Sequence, residues 1–477
     1  MNSADDTLRE FGLVDDAVVQ ALVGVCGREA VSTAEKDLVE LGHDKITEQK
    51  YASRADVVVY PGSTEEVVGI VNIARARRIP ITPRGGGSGL SGGAVPVHGG
   101  IVISFSRMNR VLEIDDGNMI VVLEPGVITK ELDAVLEPHG LFFAGYPMSE
   151  EICQIGGNVA ENAGGGRAVK YGVTGDYVLG LNIVTASGEL LRFGGRRIKD
   201  VTGYDLVGLF VGSEGTLGLI TQVTLRLLPR PRARTVVLGF LPEESMLAEL
   251  TPMILGGLPT RPSSVELADG TCLRLLKSTS KRFAWIPDGS SMILVEFDGA
   301  GPDEVQSAAA AVEQILKNRG ILEVRRSGNK KEFDEIWHIR KQIPWALMKT
   351  SPHQTMEDIS VPVTEVWPLI RATRKLAGAT GVEIANFGHL GDGNIHCTPI
   401  KPVDMNVEKW HRLLDELLPK LYRIAAGLGG TISGEHGIGH KRKGFMPMVF
   451  TGPEIAAFQA VKNAFDPEGI MNPGKIV

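Results

Sequence analysis

Two segments near the C-terminus carry side chains able to hold a metal ion. The first reads Asn386-Phe387-Gly388-His389-Leu390-Gly391-Asp392-Gly393-Asn394-Ile395-His396, and the second Ser433-Gly434-Glu435-His436-Gly437-Ile438-Gly439-His440. Four of the ten histidines fall in these segments, among glycines that permit tight turns. His389 and His396 converge if Gly391-Asp392-Gly393 reverses the chain, and Glu435 then adds a carboxylate. Two imidazole nitrogens and a carboxylate suit a borderline divalent ion with open positions, zinc first, iron or manganese as alternatives. The competing reading is histidines with structural roles, and for Asp392 turn chemistry is preferred.

A second kind of chemistry is written in glycine. The stretch Pro83-Arg84-Gly85-Gly86-Gly87-Ser88-Gly89-Leu90-Ser91-Gly92-Gly93 contains G-x-G-x-x-G, the fingerprint of a dinucleotide pyrophosphate loop. In the nicotinamide-type fold that loop opens a helix. Here Pro96 and the pair Gly99-Gly100 oppose a helix, and Ile101-Val102-Ile103 reads as a strand. Further glycine loops follow at Gln154-Ile155-Gly156-Gly157-Asn158-Val159-Ala160-Glu161-Asn162-Ala163-Gly164-Gly165-Gly166, Lys170-Tyr171-Gly172 and Gly212-Ser213-Glu214-Gly215-Thr216-Leu217-Gly218. Each alone could be a set of turns. Together they fit several backbone segments lying against one extended ligand, with N–H groups free to cradle phosphate.

In this order, PRGGGSGLSGG, IGGNVAENAGG, KYG and GSEGTLG resemble the FAD-binding domain of the vanillyl-alcohol oxidase/para-cresol methylhydroxylase (PCMH) superfamily. The most similar group within it is that of the glycolate oxidase catalytic subunit and the D-lactate and D-2-hydroxyglutarate dehydrogenases. The resemblance runs from about Tyr51 to the end. It implies an FAD pyrophosphate over Arg84, Gly85, Gly86, Gly87, Ser88, Gly89 and Leu90. Further cofactor contacts are implied from Gly157, Asn158, Asn162, Gly172, Glu214, Gly215 and Ile220. Pro147 belongs to the same set, although Tyr146-Pro147-Met148-Ser149 departs from the P-D-P-S common in relatives. Asn472-Pro473-Gly474-Lys475 resembles a segment that returns to the flavin. Members with covalent flavin often have histidine where this loop has only Gly and Ser, so non-covalent FAD is expected.

In the resembled group the two histidine segments supply the metal ligands and a base. That implies His389, His396 and Glu435 as ligands, His436 as the base and Asn394 as a residue orienting the substrate. Oxidation of a 2-hydroxy acid removes a hydroxyl proton and a hydride from the α-carbon. The resemblance implies that a bound divalent ion would acidify the hydroxyl and that flavin N5 would accept the hydride. The substrate carboxylate calls for a planar guanidinium. Arg340 matches the family's substrate arginine, the alternative being an arginine on a helix surface. The approach to Asp358-Ile359-Ser360-Val361-Pro362 is Gln354-Thr355-Met356-Glu357, without the lysine that 2-hydroxyglutarate enzymes place there. D-lactate or glycolate is therefore preferred to D-2-hydroxyglutarate. Rival readings are a direct oxidase using oxygen, the related ether-lipid synthase branch, and a flavin-bearing electron-transfer subunit without its own chemistry.

The elements that must position these residues divide the chain of 477 residues into an N-terminal helical cap (1–50), a PCMH-type FAD-binding domain (51–231), an α+β, ferredoxin-like substrate domain (232–428) and a C-terminal segment (429–477). In the FAD-binding part the expected order is strand 57–60, helix 64–77 capped by Ser63 or Thr64, strand, glycine loop and strand 101–105. Short strands at 119–124, 180–185 and 218–228 follow, with one helix near 129–138. Beyond Pro229-Arg230-Pro231-Arg232 the chain alternates regularly. Strands are expected at 236–241, 264–268, 292–297, 321–326, 355–361 and 382–387, and helices at 246–255, 304–319, 331–348 and 364–377. Helices at 405–428 and 453–465 close the chain. No repeat of fixed period is present.

Bulk composition is that of a soluble globular protein, 43% hydrophobic and 22% charged. The net charge of −7 gives no support for nucleic-acid binding. Four scattered cysteines show no C-x-x-C pair, which argues against a disulfide framework or a bound iron–sulfur cluster. Electrons would then leave through a separate acceptor: an iron–sulfur subunit, an electron-transfer flavoprotein or a quinone-linked partner. A homodimer or hetero-oligomer fits such use. No signal peptide and no transmembrane run are read from the sequence. A cytoplasmic location is expected, with peripheral attachment to the inner face of the membrane through a partner as a variant.

Overall fold

The computed structural model describes residues 11–46, 49–258 and 260–477, so residues 1–10, 47 and 48 of the expected N-terminal cap lie outside the described residues. In the described part of the cap, α-helices occupy Asp16–Cys26 and Glu35–Glu40. Helix Asp16–Cys26 is capped by Asp15, whose Oδ1 accepts the Val18 N–H at 2.9 Å. Val31–Ser32 instead forms a strand that pairs antiparallel with Val58 and Val59. It covers an edge of a four-stranded sheet ordered Val31–Ser32, Val57–Val59, Ile101–Ser104, Ile81–Arg84.

The last three strands of that sheet run parallel. The crossover from Val57–Val59 to Ile81–Arg84 is helix Thr64–Arg77, capped by Ser63 through the Glu66 N–H. Its Val67, Ile70, Val71 and Ala74 fall at i, i+3, i+4 and i+7 and are buried against the sheet. From Ile81–Arg84 to Ile101–Ser104 the chain crosses without a helix, so the glycine-rich segment lies open as loop.

A second, antiparallel sheet has the order Val111–Asp115, Ile120–Leu123, Leu219–Arg226, Val178–Val184, Leu190–Gly194. Against it packs helix Ile155–Glu161, a stretch read from sequence as a glycine loop. Ile155 and Val159, one turn apart, anchor it in the core, and Asn162 ends it in the left-handed conformation.

The third sheet is antiparallel and seven-stranded, in the order Leu322–Arg326, Ala233–Leu241, Ser291–Gly299, Ser264–Ala268, Ile384–His389, Asn394–Pro399, Glu357–Ser360. Its first four strands, numbered along the chain, stand in the order 4-1-3-2 of a ferredoxin-like unit. The remaining three repeat that order, and the fourth strand of the second unit is reduced to the bridge Ser360–Thr431. Helices cover both faces, so central strands read as continuous apolar runs. Ile293, Val295 and Phe297 face one core, while Met292 and Leu294 face the other. The closing segment returns to the first sheet, where Met471 bridges Ile81. Among the described residues no helix is long and apolar enough to cross a membrane.

Candidate functional site

Strand alternation decides which polar side chains meet. In the second ferredoxin-like unit and the strand beside it, Val265, Leu267, Ile359, Ile395 and Cys397 point into one core. Their neighbours Glu266, Asp358 and His396 therefore share the opposite face, and His389, next to Leu390 of the same core, joins them. Register does the rest: Glu266 stands directly opposite His389, and Asp358 directly opposite His396. Helix Lys330–Thr350 covers that face and presents Arg340.

Glu435 and His436 arrive on the loop after Thr431, pinned by two carboxylates. Asp358 Oδ2 accepts the Ser433 hydroxyl at 2.7 Å and the N–H groups of Gly434, Glu435 and His436 at 2.9, 2.8 and 2.7 Å. From the N-terminal half, Glu214 accepts the N–H groups of Ile438 and Gly439, both at 2.7 Å. Between them Gly437 has φ 83°, and a Cβ there would stand 1.9 Å from Glu161 Oε2. Only glycine fits.

The outcome is a convergence on one atom. Glu435 Oε1 lies 3.4 Å from His389 Nε2, 3.4 Å from His396 Nε2 and 3.7 Å from His436 Nε2. The His396 and His436 rings stack with centroids 5.0 Å apart. His389 Nδ1 meets Glu266 Oε1 at 2.7 Å, which directs Nε2 toward Glu435. Burial raises the Glu435 pKa, but the facing histidines outweigh it and hold the carboxyl down at about 2. Burial, reinforced by His436, lowers His396 to about 3, so its ring is neutral and free to ligate. Burial opposes charge on His389 too, yet the Glu266 and Glu435 carboxylates raise it well above the ordinary imidazole value.

Each Glu435–histidine pair has a separation that two ligands of one divalent ion can adopt. Atoms sharing one ion at about 2.1 Å in tetrahedral geometry stand about 3.4 Å apart. Asp358, His396, Glu435 and His436 also offer ligand atoms within 4.8 Å of one another. Asp358 is nevertheless a scaffold: one oxygen carries four donors, and the other accepts Asn394 Nδ2 at 2.7 Å. Burial raises its pKa, but the facing histidines and Arg442 more than reverse that and keep it ionised.

The cluster forms one end of a cavity of about 420 Å³, whose wall includes His389, His396, Glu435, His436 and Arg340. The other end is rich in glycine. Arg84, Gly85, Gly86, Gly87, Ser88, Gly89 and Leu90 line it, as do Pro147, Gly157, Asn158, Glu214, Gly215 and Ile220. A Cβ on Gly157 would meet no protein atom within 4 Å, so the space before it belongs to the cavity. The second glycine loop serves the junction: a Cβ on Gly164 would stand 3.2 Å from Glu435 Cβ, and one on Gly166 would stand 2.6 Å from Glu266 Oε1.

Four positions are placed elsewhere. Asn162 lies off the wall, its Oδ1 accepting the Gly175 N–H at 2.8 Å. Gly172 ends helix Ala168–Tyr171 at φ 78°. Asn472 ties Gly93 and Glu214 together, donating to their carbonyls at 2.9 and 2.7 Å. Asn394, read as a substrate contact, is not on the wall; its Nδ2 donates to Asp358 Oδ1 at 2.7 Å and to the Ile359 carbonyl at 3.2 Å. Arg340 is not a surface arginine. It is 2% exposed, Nε donates to Glu266 at 2.7 Å, and its terminal nitrogens take no protein acceptor among the described residues. Sequence reading missed Glu266, Asp358 and Glu161. A lone acid inside the apolar strand Ser-Val-Glu-Leu-Ala was the available signal for the first.

Fold and cavity together give a two-part protein, with a glycine-rich cradle for a large ligand facing a cluster of ionisable side chains. Residues 230–476 match the family described as FAD linked oxidases, C-terminal domain, and residues 55–194 match the FAD binding domain family. The chain belongs to the FAD-linked oxidases. It is 34% identical over 464 residues to the glycolate oxidase subunit GlcD of Bacillus subtilis, covering 97% of each chain. It is 36% identical to a D-lactate dehydrogenase of Archaeoglobus fulgidus, covering 88% of this chain and 91% of that one. A D-2-hydroxyglutarate dehydrogenase of Stutzerimonas stutzeri is 31% identical, with 97% and 99% covered. The fold is that of substrate-bound p-cresol methylhydroxylase, at TM-score 0.77 and 17% identity over 97% of this chain and 96% of that one.

Proposed function

We propose that the protein is an FAD-dependent dehydrogenase of D-2-hydroxy acids, with D-lactate or glycolate as substrate and a separate protein as electron acceptor. One observation carries this reading: a single cavity runs from the glycine loops to the His389–His396–Glu435–His436 cluster. FAD would be held non-covalently by the glycine wall, since residues 85–90 offer neither thiol nor imidazole. His389, His396 and Glu435 would hold a divalent ion, zinc first, with iron or manganese as alternatives. When bound, the two groups supply a hydride acceptor and a Lewis acid.

The chain's own residues do the rest. Arg340, held by Nε, turns its free nitrogens to the substrate carboxylate in a bidentate pair. His436, on a loop fixed by Asp358, takes the hydroxyl proton, and the α-carbon is thereby ready to lose its hydride. The buried walls exclude water from the reacting atoms. Products are the 2-oxo acid, two electrons and two protons.

The cationic lining supports a monocarboxylate. Among the described residues, Arg84 and Arg340 are the basic side chains on the wall apart from the histidines, and Arg84 belongs to the glycine loop, where it donates to the His43 carbonyl at 2.6 Å. One guanidinium is left for one carboxylate. Met356 lines the wall near the expected lysine position, and Lys441 behind it is engaged by Glu357 at 2.9 Å. D-2-hydroxyglutarate is the alternative substrate. The four cysteines are free, buried and scattered along the chain, in keeping with electron exit through a partner.

The test is anaerobic titration of the yellow protein with a panel of D- and L-2-hydroxy acids. D-lactate or glycolate should bleach the flavin. A much faster reaction with D-2-hydroxyglutarate overturns the substrate, and a flavin bleached by none of them favours an electron-transfer subunit. Reoxidation by air rather than by an added carrier would make the protein an oxidase.

A further inference from the structure

We propose that Glu266 is a positioning residue that fixes the spacing and orientation of the ion-binding and carboxylate-binding arms of the site. The proposal rests on the reading above of His389 as an ion ligand and Arg340 as the carboxylate clamp. Glu266 sits mid-strand in Ser264–Ala268 and is 0% exposed. A buried carboxylate is costly unless fully paired. This one is paired on both oxygens. Oε1 accepts from His389 Nδ1 at 2.7 Å and from the Ser264 hydroxyl at 2.9 Å, while Oε2 accepts from Arg340 Nε at 2.7 Å.

Each bond leaves the functional end of its partner free. A carboxylate accepts only, so it holds a proton on His389 Nδ1 and turns Nε2, the nitrogen an ion would take in place of its proton, toward Glu435 Oε1, 3.4 Å away. The Arg340 bond uses Nε alone and leaves the terminal nitrogens for substrate. Both arms thus hang from one rigid group of three atoms. A 2-hydroxy acid carries hydroxyl and carboxylate on adjacent carbons, so it fits only a short, constant spacing between the two arms. Gly166 packs against the pair, where a Cβ would stand 2.6 Å from Glu266 Oε1 and 3.2 Å from His389 Nδ1.

Glu266→Gln separates positioning from packing, because the amide has the same shape but one acceptor. If its NH₂ faces His389, Nδ1 must accept, the proton moves to Nε2, and the ion loses a ligand. If its NH₂ faces Arg340 Nε, two donors oppose each other and the guanidinium is displaced. FAD-loaded, demetallated wild type and variant are titrated with Zn²⁺ against a chromophoric competitor, and kcat and KM are measured with D-lactate. The expected result is normal FAD content, with zinc affinity reduced about 10–100-fold or KM raised tenfold or more. A folded, FAD-loaded variant with zinc affinity and KM both within twofold of wild type overturns the proposal. If Glu266→Gln fails to fold, Ser264→Ala, which removes one bond to Oε1, should shift the same quantities about 2–5-fold, and no shift overturns the proposal. A wild type that binds no zinc, manganese or iron refutes the ion site itself, and the coupling with it.

Discussion

The two ends of the cavity are made of different material. The N-terminal wall is rich in glycine, with residues 85, 86, 87, 89, 157 and 215 on it beside the ionisable Asp44, Arg84, Glu161 and Glu214. The C-terminal wall presents side chains, three imidazoles, one carboxylate and one guanidinium, of which His389 and Arg340 are held by the buried Glu266 and the His436 main chain by the buried Asp358. The first end is defined by shape and is sensitive to added volume. The second is defined by proton placement and lone-pair direction and is sensitive to changes of a single atom. Damage at one end should therefore leave the other's ligand in place, and this separation can be tested.

The largest effects belong to the side-chain end. Removing the ion with a chelator should abolish D-lactate turnover while FAD remains bound, and added Zn²⁺ should restore it. Full activity in protein shown to be metal-free would reject the ligand set. His436→Asn should slow flavin reduction about 10²–10⁴-fold in anaerobic stopped-flow, with FAD absorbance and zinc content unchanged. Normal turnover would remove His436 from the mechanism.

Asp358→Asn comes next, because an amide cannot accept from four donors at one end and meet Asn394 correctly at the other. A loss of about 3 kcal/mol in denaturant unfolding and a weakened zinc affinity are expected. On the glycine-rich wall, a Cβ on Gly86 would lie 2.1 Å from the Ile152 carbonyl oxygen, whereas Gly157 faces open space. Gly86→Ala should cost about 1–3 kcal/mol and lower FAD retention with zinc binding intact. Gly157→Ala should weaken FAD and leave the stability of FAD-free protein unchanged. Equal stability losses in the two variants would show that Gly157 faces protein after all.

The smallest effect concerns the returning tail. Burial lowers the Lys475 pKa from 10.5 to about 7, against the opposing pull of Glu214. Between about pH 7 and 10.5 the unfolded chain then holds a proton that the folded protein lacks, so this group makes stability rise with pH across that window. Lys475→Met should flatten the rise, by up to about 1 kcal/mol per pH unit between pH 7 and 9. Parallel stability curves for wild type and variant would place the lysine in water.

How much of this could be read beforehand depended on how local the cause was. Helix Thr64–Arg77 and strand Ser264–Ala268 were legible at both ends, the first through its Ser63 cap and apolar spacing, the second through its apolar run before Asp269-Gly270. Helix Gly270–Thr279 was missed, although Asp269 caps it and Cys272, Leu273, Leu275 and Leu276 form its buried stripe. Strand Asn394–Pro399 was hidden inside the histidine motif. His389, His396, Glu435 and His436 were visible because glycines frame them. Glu266 and Asp358 were not, since their partners lie 123 and 78 residues away.

By itself the sequence determined the inventory: glycines where backbone must approach a ligand, and imidazoles and a carboxylate at spacings an ion can use. Those are properties of residue type and short range, set by Cβ volume and turn geometry. Only the tertiary structure decided which oxygen the imidazoles face, that Asp358 is scaffold and not ligand, that Asn394 is not on the wall, and that Glu266 joins two arms of the site. Strand register and face are fixed by burying the apolar side of each strand, and a shift of one residue would turn every one of these groups away from the cavity.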